Sequence, residues 1–299
     1  MNWKSRLFYS QNWNIGFCEQ TPDYLIEKEE LSKVRWLKHP YRDRWFADPF
    51  IYRVTEKDIV VFVEECLIDN PKGIICELII DRKTMRLKER YVLLELDTHL
   101  SYPAIVEMGG SVYVYPENGA SGKLRIYEYD SENHKLINPV CILDEAVADS
   151  TIISYNGTYY LIATLSECST DGAYLYKSKD LMGPYTKVAQ YPVQKGFNSS
   201  RPAGNWIRLN KEIFRPVQNC EKRYGGGMRI MKVKNIIPYD EHFLFAIVPK
   251  SYKYHLGTHT LNYSNDGELT AIDGYGYFYP TLGRLLKVLF QIKQILTKK

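Results

Sequence analysis

Short apolar runs joined by tight turns recur five times along this chain, and the same end of each unit carries an unusual polar or charged residue. The first unit reads Phe46-Ala-Asp48-Pro-Phe50, a turn, then Val60-Val-Phe-Val-Glu64-Glu65. The second runs from Ser101-Tyr102-Pro103 through Gly109-Gly110 to Val112-Tyr-Val-Tyr-Pro116-Glu117. The third runs from Ala148-Asp149 through Asn156-Gly157 to Tyr159–Thr164, and the fourth from Ser200-Arg201-Pro202 to Ile213-Phe-Arg215-Pro-Val-Gln218. The fifth joins Gly257-Thr-His259-Thr to Leu269–Asp273 through Asp266-Gly267. The leading residues Asp48, Tyr102, Asp149, Arg201 and His259 stand 54, 47, 52 and 58 positions apart. Hairpins repeating at such a period predict an all-β fold, a five-bladed β-propeller.

In a propeller, equivalent positions of successive blades converge on one axis. An antiparallel hairpin also sets the start of its first strand beside the end of its second. Asp48 is therefore expected near Glu64 or Glu65, Tyr102 near Glu117, and Arg201 near Gln218, ringing one mouth of the channel. Taken singly, each has a structural rival: a turn cap at Asp48, an Asx turn at Asp149, a backbone contact at Glu117, blade-to-blade ion pairs at Arg201 and Arg215, a core histidine at His259.

Outer strands are expected at 73–81 and 89–96, 123–129 and 139–143, 173–177 and 185–189, and 228–234 and 242–248. The fifth unit is short, and strand-like pieces at 6–10, 14–18 and 33–37 precede the first. Closing the ring predicts that some of residues 5–38 pair with residues 257–279. The propeller would span 1–279. Residues 280–299 follow as an amphipathic helix, with Leu282, Leu285, Leu286, Leu289, Ile292 and Leu296 on one stripe.

Composition is ordinary for a globular chain of 299 residues, 45% apolar and 25% charged. The net charge of +4 resides in the tail, where Arg284, Lys287, Lys293, Lys298 and Lys299 face no acid. Without them 34 basic residues stand against 35 acidic, so nucleic acid is not expected as a ligand. The helix either packs on the propeller or, favoured by its basicity, lies through 281–299 on an anionic membrane surface. The six cysteines form no CxxC pair or zinc spacing and read mostly as buried free thiols. With neither a leader-like start nor a transmembrane run, the expected location is cytoplasmic, peripheral at the inner face of the membrane.

Carboxylates, arginines, a histidine and tyrosines at one mouth suit sugar chemistry: a base or nucleophile, a group for the leaving oxygen, and partners for hydroxyls. Arginine beside them suits phosphate or carboxylate. Carboxylates around an axis can hold Ca²⁺, though the spacing does not demand it. No other cofactor is implied.

Phe46–Phe50 with Val61–Glu65 resembles the opening blade of family-43-type glycoside hydrolases. That resemblance implies a general base at Asp48, a second Asp in blade two and an acidic Glu in blade three. Here Tyr102 and Asp149 occupy the latter positions, so the second role is vacant or moves to Glu117. A closer resemblance is to the N-terminal propeller domain of plant glucosamine inositolphosphorylceramide transferases and related bacterial surface-polysaccharide proteins. It rests on Phe46–Phe50, Leu100–Pro103, Tyr115–Glu117, Ser200–Gly204, Phe214–Cys220, Tyr224-Gly225 and Gly257–Thr260.

The catalytic candidates are Asp48, Asp149, Glu117 and Glu65. The substrate-binding candidates are Glu64, Tyr102, Arg201, Arg215, Gln218, Asn219, Tyr224 and His259. The altered acid machinery points to a glycosyltransferase moving sugar from a nucleotide or phosphate donor to a surface-polysaccharide acceptor, of capsule or O-antigen type, or to a lipid-linked one. Arg201 and Arg215 would steady the leaving group and His259 would donate a proton. The alternatives are an inverting family-43-type hydrolase, furanosidase- or xylosidase-like, and a non-catalytic carbohydrate-binding propeller.

Overall fold

The computed structural model describes residues 11–248, 250–285 and 288–289. Five antiparallel sheets form the five blades. Blade one runs outward through Arg44–Val54, Asp58–Leu67, Gly73–Asp81 and Leu87–Leu94. Blade two holds Ser101–Met108, Ser111–Glu117, Leu124–Asp130 and Lys135–Leu143 in the same order. Blade three holds Val147–Tyr155, Thr158–Leu165, Gly172–Ser178 and Thr186–Lys187, with Gln194–Lys195 added beside its third strand. Blade four holds Ile207–Leu209, Glu212–Gln218, Met228–Asn235 and Asp240–Ile247.

Blade five closes the ring as the sequence predicts. Its inner strands Leu261–Tyr263 and Leu269–Tyr277 come from the C-terminal side, and Gln11–Glu19 and Arg35–Trp36 complete it from the N-terminal side. Gln11 to Glu19 pair with Tyr277 to Leu269 without a register break. The backbone hydrogen bonds of this ladder remove the two free edges an open ring would carry. The expected piece at 6–10 lies outside the described residues.

Apolar side chains fill the seams between blades. Ile15 and Phe17 of blade five meet Phe46, Val61, Val63 and Leu78 of blade one. Tyr102 and Tyr115 of blade two meet Leu161 and Tyr176 of blade three. The pattern is legible because alternate residues of each inner strand face opposite neighbours.

Between the closing strands lies a short helix, Pro22–Lys28, that periodicity does not announce. It is built by end signals: Thr21 accepts from the Tyr24 amide at 3.2 Å, Pro22 opens the first turn, and Asp23 and Lys28 complement its ends. Leu25 alone is buried from it. At the other terminus, residues 280–285 and 288–289 are helical. The rest of the anticipated amphipathic helix lies outside the described residues. Arg284 holds the Tyr252 carbonyl at 2.9 Å and lies 4.2 Å over that ring, while Leu282, Leu285, Val288 and Leu289 remain exposed. Cysteines 18, 66 and 76 are buried as anticipated, but Cys141, on the outer strand of blade two, and Cys168, in the turn after blade three's second strand, are exposed.

One backbone device recurs at the inner strands. Asp48, Tyr102 and Asp149 all have left-handed φ, at 49°, 48° and 48°, and each sits in a register shift of its hairpin. Aspartate tolerates this conformation; for tyrosine it is costly and persists only if the surroundings enforce it. The enforcing contacts come from the preceding blade. The Asp48 amide donates to Asp273 Oδ2 at 3.3 Å, the Tyr102 amide to Asp48 Oδ2 at 3.1 Å, and the Asp149 amide to Glu117 Oε2 at 3.0 Å. At these three junctions a carboxylate of one blade thus latches the kinked strand of the next.

Candidate active site at the axial mouth

The bulges turn their blades' leading residues toward a cavity of about 230 Å³. Asp48, Asp149, Arg201 and His259 line it, with Glu64, Glu117 and Tyr224. Four of the five leading residues are therefore gathered as expected. Tyr102 is the exception. Its side chain is fully buried, packs edge-on to Phe50, and accepts the Gly204 amide on its hydroxyl at 2.6 Å. It braces the axis beneath the cavity.

Two hydrogen-bonded groups face each other across the mouth. In the first, Asp48 Oδ1 accepts from the Thr260 hydroxyl at 2.6 Å and lies 3.8 Å from His259 Nδ1. That nitrogen stands 2.5 Å from Asp273 Oδ2, and the His259 amide donates to Asp273 Oδ1 at 2.8 Å. Trp13, from the closing strand, stacks on the imidazole with centroids 4.2 Å apart. Burial pushes the Asp48 carboxyl up to about 7; His259 opposes the rise, while Glu64, Asp149 and Asp273 add to it. Burial alone would lower His259, but Asp273 and Asp48 outweigh it and raise the imidazole to about 9. Between those values the group holds an ionised carboxylate beside an imidazolium.

In the second group, Arg201 Nε meets Asp149 Oδ2 at 2.5 Å, and its Nη2 lies 3.7 Å from Glu117. Gln218 donates to Asp149 Oδ2 at 2.6 Å from the strand below. The guanidinium lies 5.0 Å over the half-exposed Tyr224 ring. Burial and the Asp149 charge hold the Glu117 carboxyl well above its usual range, with Arg201 opposing. A third pair, missed in the sequence, joins Glu64 to His99 Nε2 at 3.3 Å; the Gly73 amide donates to His99 Nδ1 at 2.9 Å, and the Glu64 contact raises the imidazole.

Three sequence candidates lie elsewhere. Glu65 faces the opposite side of its strand, where Arg44 Nη1 at 2.7 Å and Arg90 grip it in a buried ion-paired cluster. The cause is the two-residue strand period: of the neighbours Glu64 and Glu65, only one can face the mouth. Arg215 is fully buried against Glu241, Ser199 O and Ser200 O, and cannot reach a ligand at the mouth. Asn219 is absorbed by its loop, its amide donating to Gly227 O at 2.8 Å and its side chain accepting the Glu221 amide at 3.2 Å. The mouth so holds one guanidinium rather than two. Gly225, with φ 60°, and Gly257 pack backbone on backbone beside His259; a Cβ on Gly257 would run into the Gly225 carbonyl.

The residues missed by sequence reasoning are Trp13, Trp45, His99, Thr260 and Asp273. Asp273 had a signal, since it closes the fifth unit of the sequence repeat as Glu64-Glu65, Glu117 and Gln218 close theirs, although the strand itself runs on to Tyr277. Asp48, His259 and Asp273 also bring one ligand atom each within 4.8 Å of one another. The Asp273 oxygens accept from Asp48, His259 and Thr260, while each Asp48 oxygen accepts one hydrogen bond and keeps one lone pair.

Comparison with known proteins agrees with this geometry at the level of fold. A thermostable family-43 glycoside hydrolase superposes with a TM-score of 0.53 at 13% identity, over 73% of this chain and 83% of that one. A family 117 glycoside hydrolase of the marine bacterium Zobellia galactanivorans superposes at 0.53 and 12% identity, over 90% and 91%. At such identities the likeness is one of architecture. In sequence, glucosamine inositolphosphorylceramide transferase 1 of Oryza sativa subsp. japonica is 23% identical over 204 residues, 66% of this chain and 27% of the relative. The chain thus matches about a quarter of the length of that plant protein, and neither a bacterial source nor a capsule or O-antigen role follows from it. Residues 33–255, from the second closing strand to the edge of His259's loop, match the family described as glucosamine inositolphosphorylceramide transferase 1, N-terminal, and the chain belongs to that family.

Proposed function

We propose that this chain is a carbohydrate-active enzyme of the glycosyltransferase type, acting at the axial mouth on an activated sugar donor and a lipid-linked or surface-glycan acceptor. The observation that carries the reading is Asp48: a buried carboxyl with its pKa near 7, held in left-handed backbone geometry on the cavity wall. A base poised near neutrality can take the proton of an acceptor hydroxyl as the glycosidic bond forms. Thr260 and the Tyr102 amide fix its two oxygens. Across the cavity Arg201 is the cation for a departing phosphate, and Trp45 and Tyr224 stand at the cavity for contact with sugar rings, while Trp13 is closed between His259 and Tyr275. The family named for a transferase supports this choice. The nucleotide-sugar donor is a substrate, and no further cofactor is invoked.

Hydrolysis is the second reading, favoured by one observation. Arg201 is already engaged by Asp149 and Glu117, and four carboxylates line the mouth beside it. A neutral glycoside would enter such a site more readily than a diphosphate, with water replacing the acceptor at Asp48. In either case the location is taken as cytoplasmic, at the inner membrane face, through the basic stretch 281–299. Thermal-shift screening against a panel of nucleotide sugars, with product analysis of each hit, tests the choice. Cleavage of an aryl glycoside with no donor stabilising the fold would reverse it. Ligand binding with no turnover of any kind would leave a binding module.

A further inference from the structure

A second cavity of about 400 Å³ opens at the seam of blades four and five, away from the mouth and larger than it. Its walls are Leu31, Val34, Trp36, Ile247, Tyr254 and Ile272. Cavities of this size lined by apolar and aromatic side chains hold small ligands. Two features of its position matter. At the rim stand Val248, Lys250 and Ser251, from the loop whose Tyr252 is tied to the terminal helix: Arg284 lies over its ring and Thr281 bonds its hydroxyl at 2.9 Å. Val248, Tyr252, Leu282, Leu285, Val288 and Leu289 are exposed on that loop and helix, with Arg284 among them. At the inner wall stand Gly257, Thr258 and Asp273, and the Thr258 hydroxyl donates to Asp273 O at 2.7 Å. Asp273 is the carboxylate that holds His259 and the Asp48 amide.

We infer that this seam cavity binds the alkyl chain of an amphiphilic acceptor. The inference deepens the proposed function and rests on its lipid-linked acceptor. The exposed apolar loop and helix, flanked by a cation, fit an anionic lipid surface, and the cavity opens beside them where a chain leaving that surface would enter. The rim carries Glu29 and Glu30 against Lys33 and Lys250, with Lys250 and Glu30 paired at 2.9 Å, so the chain rather than the head-group charge is recognised. Thr258 and Asp273 line the seam, and Asp273 bonds His259 of the mouth, so a filled seam lies directly behind the loop that carries His259. The head group then lies on the seam side of the mouth.

The test uses single-chain amphiphiles with a neutral sugar head: hexyl, octyl and decyl maltoside below their micelle concentrations, followed by calorimetry on the full chain. Affinity should rise about fourfold per added methylene until the cavity is full, with maltose alone not binding. Ala246→Trp and Val248→Trp, both at exposed rim positions, should each weaken decyl maltoside at least tenfold while keeping the wild-type melting temperature. Asp48→Asn should bind it as wild type does. Chain-independent affinity, binding unchanged in both tryptophan variants, or binding lost in Asp48→Asn would each overturn the inference, the last by moving the probe to the axial mouth. Failure of every nucleotide sugar in the donor screen leaves these readings unaltered, so the two proposals fail separately.

Discussion

Asp48→Asn separates a catalytic carboxylate from a purely structural latch, because the two roles predict opposite changes in stability. Asp48 is 4% exposed, and its carboxyl is held at about 7 rather than at the ordinary 3.8. Ionising it in the folded protein therefore costs about 4 kcal/mol more than in the unfolded chain, at about 1.4 kcal/mol per pH unit. A raised folded pKa means that the stabilising contribution is complete below about 3.8 and is lost as pH rises through about 7. Wild type should then melt lower at pH 8 than at pH 5.5, and Asp48→Asn should flatten that difference. The asparagine still accepts one bond, from the Tyr102 amide or the Thr260 hydroxyl, and gives up about 1 kcal/mol for the other. At pH 8 the variant should be as stable as wild type or more so, while turnover of the donor found by screening falls about 10²–10⁴-fold. Melting curves at the two pH values and initial rates on the same preparations provide the assay. Wild-type turnover in the variant, or a fall in melting temperature at pH 8 large enough to account for the lost activity, would refute the reasoning.

Further outcomes follow from the same geometry. The pH profile of kcat/KM should be bell-shaped, rising through about 7 as Asp48 ionises and falling through about 9 as His259 loses its proton; a flat profile between pH 6 and 8 would exclude the Asp48 role, and no fall up to pH 10 the His259 role. Arg201→Met should cost about 3–5 kcal/mol in urea unfolding, since it leaves Asp149 and Glu117 buried without their cation. Glu65→Gln should also destabilise, by about 1–3 kcal/mol, leaving Arg90 without its carboxylate and Arg44 with Asp43 alone, yet keep KM unchanged in the folded fraction. A raised KM there would return Glu65 to the mouth.

The fold was legible because period and turn chemistry are local properties. Gly109-Gly110, Asn156-Gly157 and Asp266-Gly267 mark hairpins, and equal spacing turns hairpins into blades. Ring closure was legible by counting, since an unfinished fifth unit needed strands from elsewhere. Facing was harder. Glu64 and Glu65 are adjacent, and choosing between them needs the strand's phase, which the register shift at Ala47/Phe50 resets. Arg215 fails differently: it is the mid-strand residue whose partner, Glu241, lies two strands outward, and no motif joins them. Trp13 and His99 carry no periodic signal, because one arrives on the closing strand and the other in a loop between blades. The helix Pro22–Lys28 buries only Leu25, so amphipathic periodicity has too few positions to register.

The latches explain why the site and the fold are hard to separate in this family of shapes. A carboxylate of each of three successive blades accepts an amide of the next, and in every case the accepted amide belongs to a left-handed residue at the axis. Left-handed geometry at Tyr102 costs on the order of 1–3 kcal/mol, and the Asp48 oxygen that steadies it belongs to a group whose own ionisation is unfavourable. Assembly alone would be served better by a neutral side-chain amide, whose oxygen accepts a backbone amide without titrating and whose nitrogen can brace the strand as Gln218 does in blade four, where it donates to Asp149 Oδ2 and to Pro202 O. Keeping an ionisable acid at this position, with Thr260 and His259 arranged to receive its charge, is a cost that assembly does not explain and that the proposed proton transfer at the mouth would.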